Sequence, residues 1–185
     1  MALLPRSGLV QQNVVQRLRN GSVEPLPRWR GHMAIDLLEM NRRLIRLSED
    51  RDVGLWAVDY EALPEPKQVF RAICELEAQV KNGGFHQYFW NTSAWTVPGI
   101  LDALEAIGAS ATAAVVNDAI AAVGRNLPWR DDEARRAKLS ALPLAVRQEL
   151  ESLDQAFLRY PNDLTTLLYR YVSKHWDQIG ALPDF

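Results

Sequence analysis

The sequence predicts an all-α protein: one compact domain of about seven to nine helices, carrying an N-terminal helical arm. Three observations lead there. Apolar residues recur at three- and four-residue spacing through most of the chain, no segment alternates apolar with polar long enough for a strand, and proline and glycine cut the chain into helix-length units. Of 185 residues, 48% are hydrophobic and 24% charged, the balance of a globular protein. A body of this size buries roughly 70% of its unfolded surface, enough to fold without a staple.

Taken in order, Ser7 can cap a short helix through about Arg19 with Val10, Val14 and Leu18 on one face. Gly21 to Pro27 reads as an extended linker, because each proline excludes the helical region for the residue before it. The expected organisation is therefore an arm and linker over 1–30 and a helical domain over 31–185. Met33 to Ser48 returns to helical spacing through Leu37, Met40, Leu44 and Leu47, with Arg42, Arg43 and Arg46 on a solvated face near the negative end of the dipole. Residues 51–66 have no period and read as a packed loop with room for one helical turn. Pro66 then suits the first turn of a central helix whose stripe is Val69, Ile73, Leu76 and Val80.

Asn82-Gly83-Gly84 interrupts that helix, and Phe85 to Asn91 makes a short second one. Thr96 is expected as a cap before Ile100, Leu101, Leu104 and Ile107, and Gly108 as the stop. Ser110 to Val123 follows as its antiparallel partner. Asp131-Asp132-Glu133 places acids at the positive end of a helix to about Leu139. Pro143 opens the next, with Val146, Leu150, Leu153 and Phe157 on its stripe. Asn162 or Asp163 caps a last helix reaching Ile179, on whose apolar side His175 is expected as a core residue.

The densest chemistry lies in Lys81 to Asn91. Glycine takes the left-handed region cheaply, so Gly83-Gly84 redirects the chain and turns Phe85, Tyr88 and Phe89 onto a second apolar surface. Two readings stay open. Peptide N–H groups freed at the break can bind an anion, with His86, Gln87 and Asn91 adding donors. Alternatively the amides satisfy the peptide groups that the bend exposes while the rings fill the core. Trp90 and Trp95 flank the stretch and are candidates for an exposed recognition patch.

The string Asn82-Gly83-Gly84-Phe85-His86-Gln87-Tyr88-Phe89-Trp90-Asn91-Thr92 resembles the Asn-Gly-Gly-Phe-x-Gln-aromatic-Phe-x-Asn-Ser/Thr hallmark of a bacterial domain-of-unknown-function family that includes a DNA-mimic protein. The similarity continues through Tyr60, Leu63-Pro64, Glu75-Leu76-Glu77, Ala103 to Ala109 and Leu153 to Phe157, covering roughly residues 55 to 175. It implies an all-helical, cytoplasmic protein without an assigned enzymatic activity. Mimicry of DNA requires carboxylates at phosphate-like density, whereas residues 51–185 carry thirteen basic against eighteen acidic side chains, interspersed. The resemblance therefore carries the fold further than the mimicry.

Other chemistries are discounted on their residues. A net charge of −2 gives no footprint for direct nucleic-acid binding. No apolar run is long enough for a membrane span or a signal-peptide core, so a cytoplasmic protein is expected and the sequons Asn20-Gly21-Ser22 and Asn91-Thr92-Ser93 carry no weight. His32, His86 and His175 stand apart, and Cys74 is the single cysteine, on an apolar stripe, so neither a metal site nor a cysteine nucleophile is expected. Glu75 and Glu77 point to different faces of their helix. No cofactor is expected. What remains is a non-enzymatic interaction or regulatory module with a protein partner; the alternatives are a DNA mimic binding a DNA-binding protein, or a small-ligand sensor or enzyme with a pocket at His86, Gln87 and Asn91.

Overall fold

A computed structural model describes residues 36–180, which hold eight α-helices and two short 3-10 turns with no strand among them. The expected arm and linker lie outside the described residues, as does His32. The helices are α1 (Leu37–Glu49), α2 (Glu65–Trp90), α3 (Val97–Ala106), α4 (Ser110–Val123), α5 (Asp132–Ser140), α6 (Leu144–Leu158), α7 (Leu164–Lys174) and α8 (Trp176–Ile179). The 3-10 turns are Tyr60–Ala62, inside the expected packed loop, and Thr92–Thr96. None of these helices is long and apolar enough to cross a membrane.

The axis of the domain is α2. Its first half is buried nearly all round, including Val69, Phe70, Ala72, Ile73, Leu76 and Val80, which is the pattern of a helix enclosed by others rather than laid on a surface. Helices α3, α5, α6, α7 and α8 all pack on it; α3 and α6 flank α4, and α1 leans on α7.

Several helix ends follow their capping residues. Asp36 accepts from Glu39 N–H at 2.7 Å, Asp131 from Ala134 N–H at 3.0 Å and Asp163 from Thr166 N–H at 3.0 Å. Asn162 instead reaches across to cap α4, taking Thr112 N–H at 2.8 Å. Thr96 does not cap α3 as expected: its hydroxyl donates to Ser93 O at 2.8 Å and lies 2.7 Å from the Tyr88 hydroxyl. Glu39 answers the Arg42, Arg43 and Arg46 face, with Arg43 at 3.0 Å and Arg46 at 3.2 Å. The last helix is also shorter than expected, because the chain breaks at His175, which is only half-buried and packs its ring 4.5 Å from that of Tyr171.

The loop before α2 is tied down by polar side chains of the helix. Arg71 donates to Leu55 O and Val58 O at 3.1 Å each, and its guanidinium lies 5.1 Å from the Trp56 ring centre and 5.9 Å from that of Tyr60. Its Nε donates to Glu75 Oε1 at 3.1 Å. Glu75 is 5% exposed, and its other oxygen is buried with no hydrogen-bond partner among the described residues. Burial raises its pKa from the ordinary 4.5, and Arg71 offsets this only partly.

Between the ordinary pKa and the raised one the native state keeps a proton on Glu75 that the unfolded chain releases, so this contribution to stability is complete below pH 4.5 and is lost as pH rises through the folded pKa. Glu75→Gln is neutral throughout and should lose less stability than the parent between acidic and neutral pH, measured as denaturation midpoints. Parallel pH profiles for the two proteins would refute the assignment.

Candidate functional site at the kink of the central helix

Two glycines bend α2 between its halves. Gly83 is extended (φ −164°, ψ 29°), and Gly84 has φ 72°, ψ −176°, a region that only glycine occupies at low cost. A second constraint acts at Gly84, where a Cβ would lie 2.1 Å from Asp154 Oδ2 and 2.6 Å from its Cγ. The carboxylate of α6 occupies the space that a side chain would need.

Asp154 closes the site that the kink opens. Phe85 N–H, stranded at the start of the second half, donates to Asp154 Oδ1 at 2.6 Å. The carboxylate at this helix start is therefore supplied by the chain itself, where one of the two readings placed a bound anion. Desolvation raises the Asp154 pKa, outweighing the stabilisation that the Phe85 N–H gives its charged form.

The amides do something the sequence did not suggest. Gln87 Nε2 and Asn91 Nδ2 both donate to Gln79 Oε1, at 2.7 and 2.8 Å, and Gln79 is buried. The bridge runs from the half before the kink to the half after it. Gln79, Gly83, Gln87 and Asn91 are spaced by four, so they form one ridge along the helix, and the missing side chain of Gly83 makes room: a Cβ there would lie 2.2 Å from Gln87 Oε1. Asn82 closes the first half of α2 immediately before this gap.

The opposite face of the second half is core, as expected. Phe85, Tyr88 and Phe89 are fully buried; Phe85 stacks on Phe89 with centroids 5.9 Å apart and meets Phe157 edge-on at 5.7 Å. Arg135 of α5 finishes the segment. It is fully buried, and its guanidinium donates to Phe89 O at 2.7 Å, Asn91 O at 3.0 Å, Trp90 O at 3.3 Å, Trp129 O, and Asp132 Oδ1 at 2.8 Å. A cation is thus placed on the carbonyls at the end of the helix, where Trp90 O also accepts from Arg136 and Asn91 O from Ala94 N–H. An arginine in the charged run Asp131 to Arg136 gave no sign of burial from its neighbours in sequence.

The candidate residues separate into two groups. Gln87 and Asn91 turn inward to Gln79. His86 is exposed and stacks on half-buried Trp90, with centroids 5.5 Å apart and planes at 22°, and the Arg136 guanidinium lies 5.8 Å from the Trp90 ring. Trp95 is half-buried and donates from Nε1 to Asp132 at 3.1 Å. The His86 pKa is lowered by burial first and by Arg147 next, with Asp154 opposing. Cys74 is buried, which pushes its thiol pKa up and keeps it protonated. Among the described residues no three His, Cys, Asp or Glu side chains gather as a metal site.

Fold and site together define an all-helical domain that spends the polar groups of its bent central helix on holding the bend and leaves aromatic rings at its rim. The family model for DMP19-like protein matches residues 61–175, and the chain belongs to that family. The match runs from the turn before α2 into His175, and so includes the kink, Asp154 and Arg135. No curated protein and no solved structure matches the chain.

Gly84→Ala should cost about 1–3 kcal/mol from backbone strain alone, with the overlap on Asp154 adding to it. Asp154→Ala should cost about 1–3 kcal/mol by stranding Phe85 N–H. Because removing the carboxylate relieves the overlap, the double variant should lose less than the sum of the two, in a double-mutant cycle of unfolding free energies. Strict additivity would contradict the interlock. Arg135→Met, which takes the side-chain donor from Phe89 O and Trp129 O, should lose about 1–3 kcal/mol or more; a loss under about 1 kcal/mol in the same assay would show that the guanidinium is not the cap.

Proposed function

We propose that this chain is a protein-interaction module that acts by binding, through a docking surface at the rim of the kink centred on His86 and Trp90, with Trp95 at its edge. The observation that carries this reading is the division of labour in residues 85–91. The polar groups are engaged with Gln79, Asp154 and Arg135, while the stacked His86 and Trp90 rings stay accessible. Aromatic side chains that are half-buried and held in one orientation are the anchors that interfaces use most. The partner is a protein, as family membership suggests, and the setting is the cytoplasm.

DNA mimicry is the second reading, and one observation favours it. From Asn82 to Gly124 the chain has no lysine or arginine, while Asp102, Glu105 and Asp118 are exposed there, so this segment brings acidic groups and no cation of its own to the surface. A small-ligand or enzyme site at His86, Gln87 and Asn91 has less support, because the two amides face Gln79 and His86 faces Trp90.

A photo-crosslinking residue placed at His86 in cells should yield a discrete protein adduct, and Trp90→Ala should abolish it without lowering the thermal midpoint by more than a few degrees. The same residue at Glu105 tests mimicry, which predicts an adduct that duplex DNA displaces. An adduct at Glu105 alone would move the function to mimicry, and none at either position would remove both readings.

A further inference from the structure

We propose that the rim around Trp90 receives an acidic protein segment, whose carboxylates sit on Arg136 and Arg147 while an apolar or aromatic side chain lies against the His86–Trp90 stack. The proposal rests on the interaction reading above and names the partner's chemistry.

Charge at the rim is out of balance. Asp132 serves two guanidiniums, bonding buried Arg135 at 2.8 Å and lying 3.5 Å from Arg136. Arg136 directs its Nε to Trp90 O at 3.1 Å. Arg147, at the first turn of α6, donates to Ser140 O at 2.9 Å and Leu142 O at 3.2 Å, and has no carboxylate within ion-pair distance among the described residues. Main-chain carbonyls hold both side chains in place; Arg136 shares the single Asp132 carboxylate with Arg135, and Arg147 has main-chain partners alone. Asp154, the carboxylate that acts on His86, turns inward to Phe85 N–H.

Two further observations agree. The His86 pKa is lowered first by burial and next by Arg147, with Asp154 opposing, which places the Arg147 charge close to the ring. Leu144, one turn before Arg147 on α6, is 71% exposed.

A peptide fits this surface better than a nucleic acid does. A polyphosphate needs a continuous track of cations. Here the exposed acids Asp131 and Glu133 on one side and Glu149 and Glu151 on the other close the track within a turn or two of helix.

The test uses the full chain and fluorescence anisotropy with a short labelled peptide of alternating Glu and Phe, its Gln-for-Glu counterpart, a Lys and Phe peptide, and a short DNA duplex. The acidic peptide should bind, weaken with added salt, and exceed the Gln peptide by roughly tenfold. Arg147→Gln, an exposed position, should weaken it by roughly tenfold and raise the His86 pKa followed by NMR, a shift that a purely structural role would not give. Equal binding of acidic and neutral peptides, or an unchanged affinity in Arg147→Gln, would overturn the proposal. So would duplex binding as tight as that of the peptide. Trp90-dependent binding of the Lys and Phe peptide alone would overturn the acidic partner while leaving the interaction reading intact.

Discussion

The bond from Phe85 N–H to the Asp154 carboxylate is the contact on which the rest of the domain depends. A helix that turns a corner inside a protein strands peptide groups on both sides of the bend, and in a buried setting each must find a partner. In this chain α2 turns at Gly83-Gly84, and Asp154 on α6 takes the peptide N–H at the new helix start; the side chains of Gln87 and Asn91 bridge the break to Gln79, and Arg135 on α5 holds carbonyls at the far end of the helix. Helices α5 and α6 are thereby held to the central helix by directional bonds as well as by apolar burial. The ring cluster of Phe85, Phe89, Phe157 and Trp129 fills the space those bonds define.

Buried polarity recurs on the same helix. Besides Gln79, α2 buries Glu75 and Glu77. Glu77 accepts from the Tyr160 hydroxyl at 2.8 Å and pairs with Lys81, which fastens the turn between α6 and α7 to the axis. Glu75 pairs with Arg71, which fastens the loop after α1. Two carboxylates two residues apart therefore anchor different parts of the chain, because they leave the helix in different directions. Polar fasteners of this kind fix which neighbour packs where, a specificity that apolar contacts supply less sharply.

Much of this was legible in the sequence, and the reasons differ by feature. Helix positions followed from the spacing of apolar residues and from Pro66, Gly108, Gly124 and Pro143, since punctuation acts locally. The kink was legible for the same reason, as was the core face of Phe85, Tyr88 and Phe89. Pairings across the fold were not. Asp154 lies within a segment that marked the family resemblance, yet its role depends on α6 reaching a peptide group 69 residues away. Arg135 sits among Asp131, Asp132 and Glu133, where a solvated ion pair is the local expectation, and only the packing of α5 against the end of α2 buries it. Gln79 could have been found from its four-residue register with Gly83, Gln87 and Asn91. The break at His175 had no local breaker to announce it.

Clamping residues 85–91 at both ends also bears on what association would cost. Asp154 fixes the start of the segment and Arg135 its finish, so the rings of His86 and Trp90 reach the surface on a backbone with little freedom left to lose. Ordering side chains and loops on binding typically costs about 0.5–1.5 kcal/mol for each one immobilised. Here most of that cost is met when the domain folds, and a small contact area can then support a specific complex. The buried arginine and the glycine–aspartate interlock, which look like devices for stability alone, set the entropy of recognition as well.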